Sequence, residues 1–178
     1  MKKIHKTKSF TILELMVVFS ILVILAAFLM PAVTKLIEKA KKTQTKAEML
    51  AIITAIKSYE ATYGVLPVPA GWVDASVDSK YDDLMELLTC LKKGAGGPAD
   101  VYLNTREIRF LDVPTDYTST DASENGYRDP WGNYYKIYMD TNYDGQIAGP
   151  GGTALYGTTF VYSTGKNTGA DDYIYSWK

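Results

Sequence analysis

Residues 8–33 read Lys8-SFTILELMVVFSILVILAAFLMPA-Val33, and this stretch decides the fold. From Leu15 to Val33 there are 19 residues with no charge and one hydroxyl, Ser20. At about 1.5 Å per residue, a helix of that length nearly crosses a bilayer core of roughly 30 Å. Counted from Phe10, it crosses with residues to spare. The leader MKKIHKTKS supplies four lysines and no acid, so it is expected to stay cytoplasmic and the bulk of the chain to lie outside. Three readings compete for this segment. A cleaved secretory signal would have an apolar core of about 7–15 residues, and this one is longer. A plain membrane anchor accounts for the length but not for Glu14. That carboxylate stands at the mouth of the apolar run, where a charge costs about 2–3 kcal/mol unless paired or snorkelling.

The third reading uses the whole string. KSFTILELMVV resembles the cleavage and methylation motif of type IV prepilins and type II secretion pseudopilins. The resemblance implies that prepilin peptidase cuts between Ser9 and Phe10, with N-methylation of Phe10. It makes Glu14 the fifth mature residue, the position linked in that family to assembly and to pairing with a neighbour's terminal amine. Such pairing would relieve the cost of a lone carboxylate in an apolar setting. Ser9 departs from the glycine usual in the family. Pro31 matches the proline these helices often carry.

Beyond Pro31 the sequence stays helical in period. Val33, Leu36, Ile37 and Ala40, then Ala47, Leu50, Ile53, Ile56 and Tyr59, recur at steps of three and four. They predict one core-facing stripe, with the charged stretch 38–46 as a solvated neck. Gly64 and Pro67 supply the stop. The expectation is one helix over residues 10–63.

Composition narrows the function. After the leader, 15 basic residues face 20 acidic ones, a net of -5, which argues against a nucleic-acid binder. One cysteine, Cys90, excludes an internal disulfide and a Cys-rich zinc site. One histidine, His5, excludes intramolecular histidine dyads and multi-histidine metal sites. No nucleophile paired with a base stands out, so an enzyme is not expected.

Residues 82–93 predict a short amphipathic helix, with Leu84, Leu87, Leu88 and Leu91 on one side and Cys90 a buried, inert thiol near that face. Four β-branched and aromatic runs then predict three or four short antiparallel strands: 107–113, 133–139, 158–163 and 172–177. Their tyrosines read as sheet residues with the ring inside and the hydroxyl wet. The fold class is α+β: a long N-terminal helix, membrane-spanning in its first half, packed on a small antiparallel sheet. The resemblance implies the pilin-like lollipop shape.

Two loops invite a cation. Asp140, Asn142 and Asp144 occupy alternate positions before Gly145, as in the first half of an EF-hand loop. The twelfth position is Gly151, so the usual bidentate glutamate is missing. A plain Asp-Gly hairpin turn is the competing reading. In the second loop, Ser163, Gly165, Asp171 and Asp172 follow the motif DPWGNYY (129–135) and precede Trp177. This order is similar to the C-terminal half of the type II secretion major pseudopilin. The resemblance implies calcium, with Ser163, Asp171 and Asp172 among its ligands, although Lys166 and Asn167 depart from the family pattern. The Asp129-Pro-Trp-Gly-Asn133 motif reads as a structural turn with Trp131 packed beneath it.

The resemblance implies a leader over 1–9, a transmembrane helix over 10–33, its amphipathic continuation over 34–63, and a periplasmic head over 64–178. It implies a pseudopilus subunit of the bacterial inner membrane that polymerises with itself. Its partners would be prepilin peptidase, minor pseudopilins, the inner-membrane assembly platform and the lipid bilayer. Two alternatives stay open: a type IV pilus or DNA-uptake subunit, and a membrane-tethered calcium-binding module that never polymerises.

Overall fold

The computed structural model describes residues 10–68, 81–90, 104–113, 127–167 and 169–177. Helix α1 runs Ile12–Tyr63 and contributes to two compact units, Met1–Lys41 and Lys42–Lys178.

In the first unit, α1 begins with a reciprocal cap. Thr11 Oγ1 accepts from the Glu14 amide at 3.2 Å, and Glu14 Oε2 accepts from the Thr11 amide at 3.0 Å and from its hydroxyl at 2.9 Å. This Thr-x-x-Glu capping box satisfies two amide donors that every helix start leaves over. The apolar side chains that follow are exposed, from Ile12 at 79% to Met30 at 74%. The polar groups among them are satisfied within the helix: Ser20 Oγ donates to Val17 O at 2.8 Å, and Thr34 Oγ1 to Pro31 O at 3.1 Å. That combination, apolar outside and polar groups bonded inward, suits a lipid environment. The helix continues through Pro31.

In the second unit, α1 buries Thr45, Met49, Ile52, Ala55, Ile56 and Tyr59. Of the expected stripe Ala47, Leu50, Ile53, Ile56 and Tyr59, the last two are buried and Ile53 packs against the core, so the expectation holds at the far end of the helix and fails at its start. Ala47 and Leu50 are exposed, and Leu50 at 57%. Apolar residues lie on two adjacent faces here, and periodicity alone does not say which of them meets the sheet. The helix closes at Gly64, whose amide donates to Glu60 O at 2.7 Å with φ +76°, a backbone conformation that favours glycine. Leu66 is buried just beyond it.

Helix α2 spans Tyr81–Thr89 and buries Tyr81, Leu84, Met85, Leu87 and Leu88. It confirms the predicted helix, although 91–93 of the predicted range lie outside the described residues. The predicted strand over 107–113 is not a strand. The amides of Phe110 and Leu111 both donate to Leu88 O, at 2.8 and 3.0 Å, and Arg109 Nε donates to Thr89 O at 3.2 Å. Helix ends leave carbonyls unpaired, and this segment spends its donors there instead of on a neighbouring strand.

The other three predicted strands form one antiparallel sheet in the order β1-β4-β5. These are β1 (Lys136–Met139), β4 (Thr159–Ser163) and β5 (Ile174–Tyr175). Register pairs Ile137 with Val161 and Tyr162 with Tyr175. The inner face, Ile137, Met139, Val161 and Ile174, joins Met49, Ile52, Ile56 and Leu88 in one core. The outer face carries Tyr138, Phe160, Tyr162, Tyr175 and Trp177 in contact with one another. Between β1 and β4 lies a small hairpin not expected from the sequence, β2 (Gln146–Ala148) paired with β3 (Ala154–Tyr156). Tyr135, fully buried, donates its hydroxyl to Glu48 on α1, a polar tie between helix and sheet. Burial and that carboxylate push the Tyr135 phenol well above its usual range. The α+β class is as expected.

Candidate functional site: the amino-terminal segment and the carboxy-terminal loops

Phe10 is 72% exposed at the start of the described chain, and Ser9 lies outside the described residues. Glu14 is exposed, and its hydrogen bonds go to its own helix start at Thr11. The carboxylate is thus held on the helix surface four residues from Phe10, bonded to Thr11. Thr11 escaped the sequence reading, although Thr-x-x-Glu before an apolar run is a legible capping signal.

The loop 140–145 closes on itself. Asp140 is buried, and its two oxygens accept from the amides of Asp144 at 3.2 Å and Gly145 at 2.8 Å. Asn142 Oδ1 accepts from the Asp144 amide at 3.0 Å, and Asp144 Oδ1 from the Gln146 amide at 2.8 Å. These are turn-forming bonds of short polar side chains. Tyr143, with φ 58°, accepts the Leu66 amide on its hydroxyl at 2.9 Å and ties the loop to the chain just past α1.

The second loop is organised by a residue that sequence reasoning read only as part of a turn. Asp129 is buried at 4% exposure. Its Oδ1 accepts from the Trp131 and Asn133 amides at 3.0 and 2.8 Å, shaping the turn. Its Oδ2 accepts from Ser163 Oγ at 2.6 Å and from Asn133 Nδ2 at 3.2 Å. Asn133 Nδ2 also donates to Gly165 O at 2.7 Å, and the Gly165 amide donates to Ser163 Oγ at 2.9 Å. Gly165, at φ +67°, passes so close to the Asp172 carbonyl that an added Cβ would lie 2.3 Å from that oxygen. Only glycine fits.

The six expected ligands differ in their hydrogen bonds. Asp140, Asn142 and Asp144 serve one turn, and Ser163 bonds to Asp129 rather than to Asp171 or Asp172. Asp172 Oδ2 accepts from Asn167 Nδ2 at 2.7 Å, while Asp171 is exposed. Among the described residues no three acidic, histidine or cysteine side chains cluster. A hard cation at the second loop would take oxygens from Asp171 and Asp172 and complete its shell from backbone carbonyls or water.

Cys90 is exposed rather than buried. Helix α2 ends one residue earlier, and Cys90 turns off the apolar face with φ 55°. Its sulfur accepts from Asn104 Nδ2 at 3.0 Å and donates to Ile108 O at 3.3 Å. Local burial of the sulfur pushes the thiol up, the Glu107 carboxylate adds to this and Arg109 opposes it. Asn104, buried, bonds Leu87 O, Ile108 O and the Tyr63 hydroxyl. It closes this corner without any signal that spacing could have given.

The amino-terminal geometry meets its counterpart in the comparisons. Residues 4–30 match the family model "Prokaryotic N-terminal methylation motif". The chain carries a prokaryotic N-terminal methylation motif. The similarity continues past that motif. The chain is 28% identical over 152 residues to type II secretion system core protein G of Vibrio cholerae, covering 83% of this chain and 80% of that protein. No solved structure matches it at comparable stringency. A methylation motif on an exposed apolar helix, followed by similarity through the head, bears out the expected resemblance to the pseudopilins.

Proposed function

We propose that this chain is a structural, non-enzymatic subunit of a type II secretion pseudopilus. The observation that carries the proposal is the joint one. A methylation motif lies on a helix long and apolar enough to cross a membrane, and similarity to core protein G extends over most of the chain. In this reading residues 1–9 are a cytoplasmic leader, and prepilin peptidase cuts before Phe10. Helix α1 holds the subunit in the inner membrane with residues 64–178 in the periplasm. An assembly platform and minor pseudopilins then start a filament of many copies. Apolar helix surface leaves lipid only to meet other helices, and Glu14 exchanges its local cap for a neighbour's terminal amine.

The test is the intact mass and N-terminal sequence of the protein from its own membranes. A chain beginning at Phe10 with one added methyl group is expected. A chain beginning at Met1 would remove the processing step and with it this reading of assembly.

We also propose calcium at the second loop, where Asp171 is exposed beside Asp172. The ion would tie this loop without a disulfide. Melting of the full chain in detergent, with and without chelator, checks it. Saturation about a hundredfold above Kd would add about 2.7 kcal/mol, and Asp171→Ala should abolish the difference. An unchanged melt would leave the loop to the Asp129 hydrogen bonds.

A further inference from the structure

One face of α1 is not absorbed by the head's core. Lys42, Lys46, Leu50, Ile53 and Lys57 follow at steps of four, four, three and four, which places them in one line along the helix. The line spans about four turns, roughly 22 Å. Lys42, Lys46, Leu50 and Lys57 are exposed, Ile53 is half-buried, and Leu50 remains 57% exposed. Ile53 packs against the core, whereas Lys42, Lys46, Leu50 and Lys57 run beside the buried stripe of Met49, Ile52, Ile56 and Tyr59 and are not part of it.

Charge says what fits this face. Residues 34–63 hold six lysines and three glutamates, and one of those, Glu48, is engaged by Tyr135 and Gln44. Residues 64–178 hold nine basic and sixteen acidic residues, a net of -7. Glu107, Asp112 and Asp144 are exposed in that part, Asp112 standing 3.5 Å from Arg109. A cationic line with an apolar centre and an acidic, exposed head on every copy are complementary. Lipid is the poorer partner. Leu50 and Lys57 lie 17 and 24 residues past Val33, about 25 and 36 Å of helix, whereas the headgroup layer is only about 5–8 Å thick on each side.

We propose that the Lys42–Lys46–Leu50–Lys57 face is the docking surface for the acidic head of a second copy of this chain. The inference rests on the filament-subunit reading and gives it a specific contact. The experiment places a benzophenone side chain at Leu50 in the full chain, in its own membranes, and identifies the photo-adduct by mass spectrometry. Filaments are scored by microscopy in the same cells. An adduct to a peptide from residues 64–178 of another copy is expected. Its yield should fall about tenfold when Lys42→Glu and Lys57→Glu are combined, as expected for reversing two exposed pairs. Lys42→Arg with Lys57→Arg should leave it unchanged. Filaments with an adduct to a neighbour's helix, to phospholipid or to another protein, or with no adduct, would overturn the docking surface and leave the filament reading intact. Correctly processed chain without filaments or adducts would overturn both.

Discussion

The two halves of α1 are built from similar residues and have opposite surroundings. Before Lys41 the apolar side chains are exposed on every side of the helix; after it a single stripe is buried to near zero exposure. The hydrophobic term is the same in kind for both, since apolar area is driven out of water wherever it can go. The second half finds its cover in the sheet and α2 of the same chain. Among the described residues the first half is exposed, a surface that lipid or neighbouring helices would suit. The difference teaches that helical propensity and apolar content form the helix, while the available cover decides what that helix is for.

The comparison is broken most severely at Glu14. Glu14→Ala removes the carboxylate expected to pair with a neighbour's amine. Breaking such a buried pair costs about 3–5 kcal/mol, so filament yield should fall a hundredfold or more, with processing at Phe10 intact. Filament counts beside N-terminal sequencing would show it.

The next test sets one half directly against the other. Ile56 is fully buried, and Ile56→Ala should destabilise the head by about 2–5 kcal/mol. Leu22→Ala, at an exposed position, should leave the melt of the detergent-solubilised chain within about 0.5 kcal/mol. Equal effects would refute the division of the helix.

Asp129→Ala probes what holds the head's far end. It strands the Ser163 hydroxyl and the Trp131 and Asn133 amides, and the cost should be about 2–3 kcal/mol in urea unfolding. Asp129→Asn keeps the acceptor oxygen and should recover part of it.

The smallest effect is alkaline. Burial pushes the Tyr59 phenol up to about 12, with Tyr63 adding to it, and burial with the Glu48 charge does the same for Tyr127. Each is raised above the unfolded value of about 10, so their contribution is complete below pH 10 and lost as pH rises from 10 to 12. Tyr59→Phe should flatten part of that fall in a pH series of melts.

Much of this was legible in the residues. The methylation motif, the helix from the apolar run to Gly64, α2 and three of the strands all carry local signals: period, turn residues and caps. The capping box at Thr11 was equally local and was overlooked. Three features were not local. In the core-facing stripe of α1, Ile56 and Tyr59 are buried as expected but Met49 takes the place expected for Leu50, because both are apolar and only the rest of the head selects between them. Residues 107–113 have strand-like composition, yet their donors go to the carbonyls at the end of α2. Cys90 followed an apolar face in sequence, but the helix ended one residue before it.

The candidate sites divide the same way. Ser9, Phe10 and Glu14 were singled out by motif, and residues 4–30 match the methylation-motif model; cleavage before Phe10 remains part of the proposal. The loops were found as clusters of oxygen side chains, but not their partners. Ser163 was assigned to an ion together with Asp171 and Asp172; in the fold it bonds Asp129, 34 residues earlier in the chain. The sequence by itself determined that this protein has an N-terminal methylation motif, a long helix and an α+β head, because each follows from patterns within a few turns of chain. The tertiary structure decided which helix face is covered, which carboxylate holds the last loop and which lysines stay on the surface. Those outcomes depend on distant residues meeting, and no spacing along the chain encodes that meeting.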